Sequence, residues 1–436
     1  MRAVLYYIRQ ELAFLFLLLL MSCQCVGRST LKQYFPPFIY STDTISARQL
    51  GITPHATYHI IDTIDLHGKT LILPQNVKLC NKGGIIKNGA LVGNNTNVES
   101  KFVLFDRVRI LGTWNIPLVE TTLFSNLDYD NSLKDVIALT NSAITNKVNI
   151  GEGHYQVSAS KNGDVILSIK SNTSINIDGD IVLVPNNYPN YSIIRADGDN
   201  IFIKGKGSIR GDRSEHLSKD GEWGMGLYIS GSNVIVKDLT IDDCWGDCIY
   251  VRGRCNKILI DNCKISRGRR QGVSITSAKN VKIRKCYIED VGGTDPEYAI
   301  DVEPNKGDTV GSVVVDNIIV KRCKGGFTAN GRAQKSYIDN IVVQSSTFEA
   351  IGKTAIISTT VNNIKVKKCK ISQADGPKVI AFDHISNLTL TRNEIRYKKT
   401  LGNRLLGKVK KSFGIQSWPL IISECGKTNI TNNSGL

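Results

Sequence analysis

The chain has 436 residues, 55 Lys and Arg against 39 Asp and Glu, a formal net charge of +16 and only 7% aromatic residues. That length allows more than one domain. So strong a positive charge favours acidic partners, but nucleic acid is the poorer match: its usual mark is basic residues interleaved with stacking aromatics, and here Lys365, Lys367 and Lys368 sit at strand-like spacing with none between them.

In chain order, Met1-Arg2 and the apolar run Leu12 to Met21 come first. The run falls short of the roughly 20 apolar residues that span a bilayer and reads as a signal peptide over residues 1–22. Leu20-Met21-Ser22-Cys23 resembles a bacterial lipoprotein signal, which implies Cys23 as a lipidated mature N-terminus. Ordinary cleavage nearby is the alternative, and Cys25 is close by. Either way an exported protein is expected: in the bacterial envelope, as an outer-membrane lipoprotein or in the periplasm, or secreted. Losing Arg2, Arg9 and Glu11 with the signal lowers the charge only from +16 to +15.

Residues 23–57 read as a linker and 58–126 as a small β-rich module, whose strands are punctuated by Gly68, Gly83, Gly84, Gly89 and Gly93 and close at Ile110–Trp114. Asp130-Asn131-Ser132 offers an N-cap to a helix with Leu133, Val136, Ile137 and Ile144 on one face. It is placed to cap the open end of a stack of strands C-terminal to it.

Between Asn233 and Ile395 an apolar residue recurs at i, i+2, i+5 and i+7, with Leu239, Cys263, Cys286, Cys323, Ser346, Cys369 and Asn393 in the i+5 slot. A period in the low twenties marks units that bury their apolar face only by stacking. Val234-x-Val236, Ile258-x-Ile260 and Val281-x-Ile283 have strand alternation, and a second strand comes after each at Ile249–Val251, Val273–Ile275 and Ile300–Val302. This all-β pattern predicts a parallel β-helix solenoid over 127–397; leucine-rich repeats fit less well because the apolar residues are mostly Ile and Val. The step from Cys286 to Cys323 is longer than the rest, so an expanded coil is expected there. Residues 398–436 read as a basic cap or tail, with Lys398, Lys399, Arg404, Lys408, Lys410 and Lys411. Cysteines sharing one inward slot serve as small apolar fillers and not as disulfides, and Cys244, Cys248 and Cys255 lack the C-x-x-C or nearby His of a zinc site.

Gly246-Asp247-Cys248-Ile249-Tyr250-Val251 and Arg270-Gln271-Gly272-Val273-Ser274-Ile275, one coil later, are similar to consecutive coils of polygalacturonase-type glycoside hydrolases. The chain thereby resembles the pectate-lyase-like right-handed β-helix superfamily. The resemblance implies a right-handed helix with a capping helix, and hydrolase, lyase or epimerase chemistry on polysaccharide. It carries Asp247 over as an aspartate position. It does not carry the full catalytic set, because Gln271 stands for the family's His, Met225 for one aspartate and Asp301-x-Glu303 for its Arg-x-Lys. Fold alone does not assign function in such a group.

The residues themselves offer Asp301 and Glu303, pointing outward on the expanded coil and spaced as an acid and base. They are expected in outward columns with Tyr228, Tyr250, Ser274, Thr328 and with Arg252, Asn330, beside small outward residues Gly226, Gly272, Ala299, Gly326 and Ala355 that leave a groove. Tyr228, Tyr250 and Trp223 are candidate sugar platforms, with Glu222, Arg252, Arg269 and Gln271 as further substrate contacts. Asp242, Asp243, Asp247, Arg267, Arg269 and Arg270 form a second charged cluster read mainly as ion pairs; in a lyase Arg269 or Arg270 would steady the substrate carboxylate. The loop from Gly211 to His216 and on to Gly224 is a candidate roof. No metal or cofactor is called for, Ca2+ entering only with lyase chemistry. The expected function is hydrolysis of an acidic or complex polysaccharide, with lyase, epimerase or a non-catalytic adhesin-like solenoid as alternatives.

Overall fold

A computed structural model describes residues 44–45, 47–125, 132–144, 146–374, 379–397 and 420–434. The signal run, Cys23, and the basic segment 398–419 lie outside the described residues.

Parallel strands stack coil upon coil. Val234, Ile258, Val281, Val313, Ile341, Ile364 and Leu388 occupy one register column, each backbone bonded to the next coil. All seven are at most 1% exposed, because alternation turns every second side chain inward and no coil can cover that face alone. A ladder of ten parallel strands runs from His154–Val157 to Glu394–Tyr397, and a larger sheet carries the other strands of the coils.

Two sets of left-handed residues make the corners. Asp238, Asn262, Lys285, Asn317, Ser345, Lys368 and Arg392 have φ between 52° and 61°, each just before the inward slot. Asp243, Arg267, Asp290, Arg322 and Ala350 repeat this five residues on, with φ between 50° and 57°. Such φ values cost a side-chain-bearing residue roughly 1–2 kcal/mol. Stacking offsets this: the N–H of Asn262 reaches Arg284 O at 3.0 Å and that of Arg267 reaches Glu289 O at 3.1 Å, one coil along.

The register corrects the sequence reading at one coil. Ile288 pairs with Val320 and Val320 with Phe348, so Ile318, not Cys323, shares the slot with Cys286 and Ser346. Cys323 belongs to the next corner. The extra residues are therefore not confined to one coil; they are spread over loops 292–297, 303–308 and 331–336.

The N-terminal strands also differ from expectation. Thr44–Ile45, within the stretch read as linker, pairs with Thr70–Leu71, and the parallel stacking continues through Phe105–Asn115 to Val119, which pairs with Val148. The helix Ser132–Ser142 packs against Phe105–Asn115 on one side and against His154–Val157 and Asp164–Ile169 on the other. His154–Val157 begins the ladder of ten strands and Asp164–Ile169 the larger sheet, so the helix covers that end of the coils as expected. Leu133, Val136 and Leu139 are fully buried, whereas Ile144, past the helix end, is 63% exposed. At the far end Leu420–Ser423 and Lys427–Thr431 pair with Ile380–Thr391, so part of the segment read as tail continues the coils. No helix among the described residues is long and apolar enough to cross a membrane.

The nine cysteines in the described part are free, and all but Cys425 are buried. The slot thiols donate to the carbonyl two residues back, Cys286 Sγ to Arg284 O at 3.2 Å and Cys369 Sγ to Lys367 O at 3.5 Å. Burial pushes the Cys323 thiol up to about 12 and that of Cys369 to about 11, so they pack as neutral fillers. Replacing Cys286 with Ala should lower unfolding free energy by about 1–2 kcal/mol through the void left in the column. The same change at half-buried Cys425 should cost under about 0.5 kcal/mol, both read from urea denaturation.

Candidate functional site

One outward column runs Tyr228, Tyr250, Ser274, Asp301, Thr328, Ile357, Ala381, Ile421, a rung per coil. Beside it run Asn330, Thr359, Asp383 and Ser423, and Asn330 Nδ2 donates to Glu303 Oε1 at 2.9 Å. A cavity of about 560 Å³ lies over these columns from the Asp301 coil onward, lined by Asp301, Glu303, Asn330, Arg332, Thr359 and Asp383 among others. At about 4.8 Å per coil, the five coils from Asp301 to Ile421 span roughly 19 Å.

Its wall is the enlarged loop carrying Pro296 and Tyr298. Lys353 clamps that loop, its Nζ 2.6 Å from Asp295 Oδ1 and 2.5 Å from Glu297 Oε2. The Tyr298 ring lies over Gly325, where any side chain would run into it. The small residues expected to floor a groove do something else. A side chain on Gly272 would meet Ile288 and one on Gly326 would meet Phe348, both in the core, so these residues are small because they face inward at a narrow corner.

Asp301 is 1% exposed, a correction to the solvent-facing carboxylate expected from alternation. Burial first, then the Glu303 and Asp247 carboxylates, push its pKa well above the usual carboxylate range, against the opposing pull of Arg270. One oxygen, Oδ2, accepts from Gln271 Nε2 at 2.7 Å, while Oδ1 has no partner in the protein. Burial thus favours the neutral acid, and its Oδ1, itself buried, is left without a hydrogen-bond partner.

Asp247, fully buried, is raised to about 7 by burial, despite Arg270 Nη1 at 3.4 Å from its Oδ2. An arginine neighbour by itself would lower a carboxylate pKa, but desolvation is the larger effect here. Arg270 also lies 3.8 Å from Glu222 and over the Trp223 ring at 5.0 Å. Trp223 is 40% exposed and meets Tyr250 edge-on.

Several expected contacts are structural. Tyr250 is 3% exposed, packed against Tyr228 at 5.1 Å and Trp223, so it has no free face for a sugar. Tyr228 is half-buried with Arg195 over its ring at 4.5 Å. Gln271 is fully buried and reaches Asp301, not solvent. Arg269 donates to Gly221 O at 2.7 Å and covers Trp245 at 3.7 Å, and Arg252 is exposed but does not line the cavity. Asp242 and Asp243 are bound by Arg267, Ser266 and Ser214, which holds them at a corner. The loop from Gly211 is anchored by buried Asp212, which accepts from Tyr191, Asn186 and His216. The cavity residues Arg332, Thr359 and Asp383 carry no motif that singles them out in the sequence. Arg332 Nε donates to Thr359 Oγ1 at 3.0 Å and Nη2 to Asp383 Oδ2 at 2.8 Å. Only the parity of Asp383 after Ile380–Phe382 signals this. No group of side chains among the described residues has the makeup of a metal site.

The family model described as right handed beta helix region matches residues 186–343. The uncharacterized protein YclG of Bacillus subtilis is 33% identical over 182 residues, covering 35% of this chain and 31% of that protein. The SPbeta prophage-derived uncharacterized protein YorA of Bacillus subtilis is 24% identical over 295 residues, covering 62% of this chain and 44% of that one. The chain thus spans less than half the length of either. Among solved structures, the A-module of the Azotobacter vinelandii mannuronan C-5 epimerase AlgE4 is similar with a TM-score of 0.42 and 9% identity, over 66% of this chain and 88% of that module. With its parallel coils and the family match across residues 186–343, the fold is a right-handed parallel β-helix.

Proposed function

We propose that this chain binds a polysaccharide along the column from Asp301 to Ser423 and cleaves it by hydrolysis, with Asp301 as general acid and Glu303 as its partner base. The observation that carries this reading is a buried carboxyl whose pKa burial raises, with one oxygen left without a hydrogen bond, next to an open cavity and a second carboxyl. A general acid at neutral pH needs a raised pKa, which burial supplies. Glu303 follows the strand that holds Asp301, and extended residues at i and i+2 have Cα atoms roughly 6–7 Å apart, which lets their carboxyl groups reach the separation of about 5–9.5 Å at which such a pair acts on a glycosidic bond. Asp301 gives its proton to the leaving oxygen; Glu303 activates water or adds to the anomeric carbon, then water releases the sugar. Asn330 orients Glu303.

Lyase chemistry has less support. It needs a cation free to steady the substrate carboxylate, and Arg270 is shared between Asp247 and Glu222 while Arg269 is tied to Gly221 and Trp245. Only that chemistry would call for Ca2+. The net charge of +16 supports an acidic polymer drawn in from outside; within the cavity Arg332 is already paired with Asp383. The N-terminal apolar run and Cys23 support export and envelope anchoring.

A panel of uronate-containing and neutral polysaccharides, followed for reducing ends and for the absorbance of unsaturated uronides, tests the reading. Reducing ends alone are expected; both signals mean β-elimination, and retained binding with neither means an adhesin-like binder. Asp301→Asn and Glu303→Gln should each lower turnover at least about 100-fold. Asp242→Asn should lower the melting temperature with turnover per folded molecule unchanged. An Asp301→Asn, Glu303→Gln double variant that stays active would move the chemistry to Asp247 and Arg270.

Stability should also report the buried acids. The folded pKa of Asp247, about 7, lies above the unfolded value of about 3.9, so the native state holds its proton longer and stability falls as pH rises from about 4 to about 7. Urea midpoints across that window should fall less steeply for Asp247→Asn than for the wild-type protein. Equal slopes would mean that Asp247 is ionised throughout.

A further inference from the structure

Gln271 occupies the rung between Asp247 and Tyr298, fully buried: Cys248 N–H donates to its carbonyl and Gly272 N–H, next in the chain, donates to that of Tyr298. Its side chain makes two hydrogen bonds of unlike kind. Tyr298 N–H, which can only donate, gives to Gln271 Oε1 at 2.7 Å. That contact fixes the amide orientation, because turning the amide over would set an NH2 group against an N–H. The Nε2 group is therefore the one that faces Asp301, and it donates to Oδ2 at 2.7 Å.

A neutral carboxyl has one carbonyl oxygen and one hydroxyl. An amide N–H pointing at Oδ2 leaves that oxygen as the carbonyl, since a proton there would face a donor. The hydroxyl proton then belongs to Oδ1, the oxygen without a protein partner. We propose that Gln271 is a positioning residue that fixes the carboxyl proton of Asp301 on Oδ1, the oxygen without a protein partner, by way of the Tyr298 backbone. This rests on the reading of Asp301 as the acid, and gives a role to the residue that replaces the histidine of the similar hydrolases.

The charged and titratable groups around Asp301 are Glu303 on its own strand, Asp247 and Arg270 from the preceding coils, and Tyr298 at the strand's start. The next coil brings Thr328 alongside, which carries no charge. None of the carboxylates can donate to Oδ2 when ionised, so the amide is the group that breaks the symmetry of the two oxygens.

The test needs no substrate. Infrared difference spectra of the full chain, wild type minus Asp301→Asn, isolate the Asp301 carboxyl C=O band, whose frequency falls when the carbonyl oxygen accepts a hydrogen bond. At neutral pH the band should be present, and in Gln271→Met it should move to higher frequency. Losing that donor removes a bond that favours the ionised form, so the pH at which the band disappears should rise by about one unit, the size of one hydrogen bond. Gln271→Glu, compared with its own Asp301→Asn double variant, keeps an acceptor for Tyr298 N–H and should also raise that pH, which separates the donor from simple anchoring should Gln271→Met fold poorly. Where a substrate is known, the alkaline limb of kcat should move with the band. A band of unchanged frequency and titration in both variants would overturn the positioning role while leaving Asp301 as the acid. No band at neutral pH in the wild type would instead overturn the acid, and with it this inference.

Discussion

Every coil of this molecule leaves half of its backbone hydrogen bonds to be made by the next coil, and that constraint sets almost everything else. It forces strands to repeat in register, so a residue type chosen at one rung meets its equivalent about 4.8 Å away. Inward rungs become columns of Ile and Val with thiols as spacers, and outward rungs become columns of polar groups. The cost of the left-handed corners is borne at every turn because each corner N–H is bonded to the neighbouring coil.

The candidate site arises where that repeat is disturbed. Loops 292–297, 303–308 and 331–336 lengthen two successive coils, and Pro296 and Tyr298 form a wall of the cavity. Burial is the largest influence on the Asp301 carboxyl and outweighs the opposing pull of Arg270. The same effect acts on Asp247, where it outweighs a direct ion pair with Arg270. Two neighbouring carboxyls biased towards their neutral forms, close to Glu303 and Glu222, are costly to stability. Gln271 and Asn330 each donate to one oxygen of a carboxyl.

Much of this is legible in the chain itself. Alternating Val and Ile at a fixed period specify the parallel coils, and parity places Asp301 and Glu303 in their columns. What fails is register across an insertion: the motif Ile318-x-Val320 fits the repeat at two offsets, and only pairing with Ile288 and Phe348 distinguishes Ile318 from Cys323 as the slot residue. Burial of outward residues is also hidden, because alternation says which way a side chain points and not what loop lies over it. That is why Tyr250 and Gln271 read as exposed substrate contacts, and why the small residues at Gly272 and Gly326 read as a groove floor. Arg332 reaches forward over two coils to Asp383, a contact no local pattern signals.

The central claim is a protonation state: Asp301 neutral at working pH, its proton on Oδ1, beside Glu303. Neutron diffraction from deuterium-exchanged crystals grown near neutral pH would see that proton directly. The account predicts nuclear density for deuterium on Asp301 Oδ1 and none on Oδ2 or on Glu303. Bare oxygens on Asp301, or deuterium on the oxygen that faces Gln271, would contradict it.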